Sequence, residues 1–205
     1  MSGQGSEPGG EPQPTTHQQP QRTAEPSYVD LLTAPLTKRF ATFASATGAG
    51  TGVGLGVMFL LLKFAGKPAI ESPDGGFASQ SPKAGEIAAT QFVNQAAQLA
   101  IYVLPLLAAA LAAVLGLYAA RRLDVGDRET FVAAAVGGLV GAGVLVVVGT
   151  FFVSMGFGSV TVEGQQAVRK PGSVAFGNLV VNAVAVGLGA AVLSTVTSWA
   201  DRTQA

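Results

Sequence analysis

Gln91, Asn94, Gln95 and Gln98 stand at i, i+3, i+4 and i+7, and Tyr102 continues the same line. At ~3.6 residues per turn, that spacing puts the amides and the phenol on one helix face. Asn178 and Asn182 lie one turn apart, Thr150 and Ser154 repeat the interval with hydroxyls, and Lys63 adds an ammonium group. Amides and hydroxyls donate and accept hydrogen bonds, but at neutral pH they do not exchange protons as a histidine or a carboxylate does. The chemistry open to such a set is binding. Lys63, Gln95, Gln98, Tyr102, Thr150, Ser154, Asn178 and Asn182 form the candidate cluster, with two readings. They hydrogen-bond neighbouring helices and meet interfacial water, or they line a vestibule for a small polar ligand.

Catalysis has less to draw on. Hydrolysis or group transfer needs a nucleophile with a base, paired carboxylates or a metal cluster. The chain has no cysteine, which rules out disulfides and thiolate metal sites. Its single histidine, His17, lies in a polar stretch without the convergent partners a metal site needs. The acids Glu86, Asp124, Asp127, Glu129 and Glu163 fall in intervals between apolar stretches, where they read as capping and solvated charges. No enzyme activity, cofactor or metal is expected. The 12 basic and 12 acidic residues balance, so no basic surface points to nucleic acid.

The elements that must position the polar cluster are four apolar stretches, residues 41–62, 99–120, 131–153 and 179–200, none with a charged residue. About 20 helical residues cross ~30 Å of hydrocarbon, and each stretch meets that length. The expected fold is an all-α membrane protein, a four-transmembrane-helix bundle occupying residues 41–205. Ahead of it, residues 1–26 are almost all Gly, Pro, Gln, Ser, Thr and Glu, too poor in apolar surface to fold, and predict a disordered tail. Residues 27–40, with Tyr28, Leu31 and Leu32 before Lys38 and Arg39, predict an interfacial segment.

Between the first two spans, GKPAIESPDGGFASQSPKAGE reads as loop, and from about Glu86 the chain turns helix-compatible and runs into the second span. Pro105 should mark the start of that membrane helix or kink it. Arg121 to Thr130 makes a tight hairpin, with Gly126 turning the chain and Asp127 and Glu129 suiting the positive end of the third helix. In SVTVEGQQAV, Val160 and Val162 alternate with polar residues, which fits a short β-hairpin turning at Glu163 and Gly164.

Four spans put both termini on one side. Seven basic residues fall there (Arg22, Lys38, Arg39, Arg121, Arg122, Arg128, Arg202) against five opposite (Lys63, Lys67, Lys83, Arg169, Lys170). Lys38–Arg39 and Arg121–Arg122 abut span ends, where basic residues weigh most, so both termini are expected in the cytoplasm and the chain in the cell membrane. The candidate polar cluster then gathers at the outer leaflet, while the inner halves of the spans are aliphatic apart from Ser and Thr near Trp199.

Small residues recur every fourth position: Gly48, Gly52 and Gly56, with Gly50 and Gly54 on a neighbouring line; Ala108, Ala112 and Gly116; Ala133, Gly137 and Gly141; Ala183, Gly187 and Ala191. In lipid, helices associate through close backbone approach, which such stripes permit. The stripes could serve a homo-oligomer face, but contacts within the chain are the expectation. GTGVGLG is no phosphate loop, because it lacks the lysine and lies inside a span.

With its Gly/Pro/Glu/Gln/Thr-rich leader, spans such as LPLLAAALAAVLGLYAARR and no cysteine, the chain resembles the small uncharacterised four-span integral membrane proteins of halophilic archaea. The resemblance rests on layout and composition, implies an archaeal membrane protein and brings no activity with it. The function expected is a non-enzymatic, structural or accessory membrane subunit, in contact with the lipid bilayer and with a membrane-protein partner or its own copies. The alternative is a small oligomeric channel or transporter using the amide cluster.

Overall fold

The computed structural model describes residues 26–70, 84–172 and 175–204. The polar tail and the loop between the first two spans lie almost wholly outside them. Helix α1 (Tyr28–Thr33) opens with a capping box: Ser27 Oγ accepts from the Asp30 amide at 3.3 Å, and the Asp30 carboxylate accepts from the Ser27 amide at 3.1 Å. Pro35 then begins α2 (Pro35–Ile70), a position where its missing N–H is no loss. Thr37 Oγ1 closes the corner by donating to the Leu31 carbonyl at 2.7 Å. The stretch 27–40 is thus α1 plus the first turns of α2.

α3 spans Ala84–Arg122, α4 Asp127–Met155 and α5 Phe176–Gln204. All four long helices are long and apolar enough to cross a membrane, and the chain is a multi-pass membrane protein. The helices outrun the apolar stretches that seed them. α2 continues to Ile70, past where loop is predicted, because extending a formed helix adds one hydrogen bond per residue fixed. α3 starts at Ala84, close to the predicted onset, and passes unbroken through Pro105, so the proline does not mark its start.

α4 is the central helix. It packs against α2, α3 and α5, whereas α2 and α5 do not touch. Its Ala133, Ala134, Ala142 and Leu145 are wholly buried, and small side chains there let three neighbours approach one axis. Phe40 fills the space beside Gly137, and Ala44 packs over Gly141. The α3–α4 turn is four residues long, with Gly126 at the N-cap and Asp127 and Glu129 in the first turn of α4. Arg202 of α5 binds this turn, donating to the Leu123 and Val125 carbonyls at 2.8 and 3.1 Å and pairing with Asp127 at 2.6 Å. Arg121 pairs with Asp201 at 2.9 Å beside it. These contacts fasten the end of the bundle that carries both termini.

At the opposite end, β1 (Val160–Val162) and β2 (Gln165–Val168) form an antiparallel hairpin. Glu163 (φ 50°) and Gly164 (φ 80°) both take positive φ, as a type I′ turn requires. Val160 and Val168 pair at the hairpin's base and are buried, and both strands rest on α3.

Ser194 and Ser198 of α5 are fully buried, and neither hydroxyl has a hydrogen-bond partner. Their value is steric: Ser194 sits against Gly116 and Gly138, where little else fits. Ser194→Ala should keep the packing and remove an unsatisfied group, leaving the bundle unchanged or up to about 1 kcal/mol more stable in denaturant titration in micelles.

Candidate functional site

The candidate polar residues sort into three groups once the helices are in place. Gln98 and Tyr102 of α3, Thr150 of α4 and Asn182 of α5 line one cleft of about 580 Å³ at the hairpin end of the bundle. α3 and α5 form its sides, α4 its floor, and Phe157 and Pro171 its roof. Its deeper wall is apolar, with Leu104, Val146, Leu179 and Val186. Among the described residues, no charged side chain lines it.

A second group is occupied by local structure. Lys63 donates to the Met155 and Phe157 carbonyls at 3.3 and 3.2 Å, placing a cation at the negative end of the α4 dipole. It therefore belongs to a helix cap and not to the cleft. Ser154 Oγ donates to the Phe151 carbonyl at 2.7 Å within its own helix. Asn94, on the same face as the candidate amides, donates to the Gly158 carbonyl at 3.0 Å and accepts from the Gly158 amide at 2.9 Å. It clamps the turn that follows α4 onto α3. Gln95 and Asn178, the third group, are exposed and stand outside the cleft wall.

Two features distinguish the cleft. Threonines 42, 47, 51, 130, 195, 197 and 203 all return their hydroxyls to the carbonyl four residues back. Thr150 is only 5% exposed yet makes no hydrogen bond among the described residues. Across from it, Pro105 has no N–H for the Ile101 carbonyl, so that acceptor is left without its helical partner in the same wall. From the sequence, Pro105 is expected to start the membrane helix or kink it. Its consequence, a carbonyl without its helical N–H donor in a cleft lined by four uncharged polar side chains, needed the bundle to become visible.

The polar lining ends with the cleft. Towards the termini the space between α3, α4 and α5 is filled by Ala108, Ala112 and Ala142, all wholly buried.

The helix-packing glycines also separate into roles. A side chain at Gly48 would run into the Gly141 carbonyl, one at Gly52 would come within 2.8 Å of the Gly149 amide, and one at Gly56 would strike Phe152. A side chain at Gly187 would likewise come within 2.9 Å of the Leu139 carbonyl. Gly50 and Gly54 have nothing within 4 Å.

The fold and the cleft define a multi-pass membrane protein with a lateral pocket. No protein-family model, curated protein or solved structure matches the chain.

Proposed function

We propose that this chain is a non-enzymatic accessory or structural subunit of a cell-membrane assembly, with both termini in the cytoplasm, that meets its partner through the outward face of α2. The supporting observation is the pair of glycine lines on that helix. Gly48, Gly52 and Gly56 are used against α4, while Gly50 and Gly54 face away from the bundle with nothing near them. Glycine inside a helix costs ~0.5–1 kcal/mol relative to alanine. Facing lipid alone, Gly50 and Gly54 bring no packing in return; facing a second helix, they allow its backbone to come close. Ala46, one turn before Gly50, extends the smooth surface.

Orientation rests on the basic pairs Lys38–Arg39 and Arg121–Arg122 at the end that carries the termini. The channel or transporter reading finds less support, because the polar lining stops at the buried alanines below the cleft.

A photo-crosslinking residue at Val53, in native membranes, tests the proposal. The expected result is a discrete protein adduct that disappears in the Gly50→Leu, Gly54→Leu double variant while the bundle stays folded. Crosslinks to lipid alone, or an adduct indifferent to the double substitution, would overturn it.

A further inference from the structure

We infer that the cleft between α3 and α5 binds an uncharged amphipathic lipid whose head carries hydroxyl groups, of the monoacylglycerol kind, entering sideways from the bilayer. The site is separate from the partner face, since α2 contributes no residue to it. Its volume of about 580 Å³ lies within the ~300–1,000 Å³ typical of ligand sites.

The lining chooses the ligand class. A phosphate or ammonium head would enter a low-dielectric cleft that offers no side chain of opposite charge among the described residues, which disfavours it strongly. A small hydrophilic solute would leave Leu104, Val146, Leu179 and Val186 facing nothing apolar. An amphipath satisfies both parts: its head meets Gln98, Thr150 and Asn182, and its chain covers the aliphatic wall.

The head must also donate hydrogen bonds. The Ile101 carbonyl lacks the N–H that residue 105 would otherwise offer and can only accept, so a head with donors suits this wall better than one limited to acceptors. A glycerol head supplies donors and acceptors together. The entrance fits the same source, because Leu99, Leu106 and Val181, each next in sequence to a lining residue, are 64%, 70% and 67% exposed and would face acyl chains. Thr150, 5% exposed and without a side-chain hydrogen bond to any described residue, lines the cleft and leaves its hydroxyl free for a ligand head.

The test uses the full chain in nanodiscs and a diazirine-bearing monooleoylglycerol. Labelling should saturate, map to α3 and α5, and be displaced by unlabelled monooleoylglycerol. Thr150→Val and Asn182→Leu should each weaken apparent affinity about five- to tenfold with the thermal midpoint held, in line with one lost hydrogen bond. Ala185→Phe, which fills the cleft from its exposed side, should abolish saturable labelling and covers the case in which a polar variant fails to fold. Oleoyl phosphate, with an anionic head, and decylubiquinone, with an acceptor-only head, should each compete at least tenfold less well. Non-saturable labelling spread over all four helices, equal competition by either comparison amphipath, or undiminished affinity in Ala185→Phe would overturn the assignment.

Discussion

Gly48→Leu should strongly destabilise the bundle, while Gly50→Leu, two residues along the same helix, should leave it intact. A β-carbon at Gly48 would enter the space of the Gly141 carbonyl and lie 3.3 Å from the Leu145 amide. Both are backbone atoms of the central helix, so no rotamer change relieves the clash and α2 must move away from α4. Overpacking a tight core costs about 1–3 kcal/mol when side chains can yield, and the whole of that range or more is expected here. At Gly50 the added side chain meets nothing within 4 Å, and the change should stay within about 0.5 kcal/mol. Reversible unfolding in mixed micelles, titrated with denaturing detergent, measures both. Equal stabilities for the two variants would mean that α2 does not pack on α4 through this line.

That pair also marks where sequence reading reaches and where it stops. The stripes of small residues were legible because a four-residue interval keeps one helix face smooth. Which helix each stripe meets was not, because a helix apolar all round has no polar side to reveal its orientation. The local features that depend on short-range chemistry fared better. Gly126 stands at the start of α4, α3 begins close to Glu86, and Glu163–Gly164 make the hairpin turn, each set by turn and cap residues a few positions apart. The polar cluster was legible only as a level in the bundle. Asn94 and Gln98 share a face of α3 in sequence, yet one holds the turn after α4 and the other opens on the cleft. The helix supplied by its neighbours at each height decides between them. The same holds for Lys63, whose reach past the end of α4 turns an interfacial lysine into a cap.

Asn94→Leu is the second substitution expected to have a large effect, and it follows from that division of labour. Asn94 is 5% exposed and pairs with both backbone groups of Gly158, as a neighbouring strand would. Leucine matches its size but leaves one N–H and one C=O without partners in a partly buried turn. Each such group costs roughly 1–3 kcal/mol, so a loss of about 3 kcal/mol is expected. Gln95→Leu, one residue on and exposed, should change stability by less than about 0.5 kcal/mol. Hydrogen exchange at the Gly158 amide and through residues 160–168 separates a released turn from a general loss of packing. Protection should fall at Gly158 and in the hairpin while the centre of α4 keeps its own, because Gly137, Gly141 and Gly149 pack on Phe40, Ala44 and Leu104 without help from Asn94. Phe157, next to Gly158, packs with Phe59, Ala97 and Val153 and roofs the cleft, so loosening this turn should also weaken saturable monooleoylglycerol labelling. Unchanged protection at Gly158 would show that the clamp does not hold the turn. Full protection with weakened labelling would instead place Asn94 in direct contact with the bound head. Lys63→Met, which removes the other hydrogen bonds to the same turn but leaves Asn94 in place, should give the intermediate case: a smaller loss of about 1 kcal/mol, the scale of a cation at a helix C-terminus.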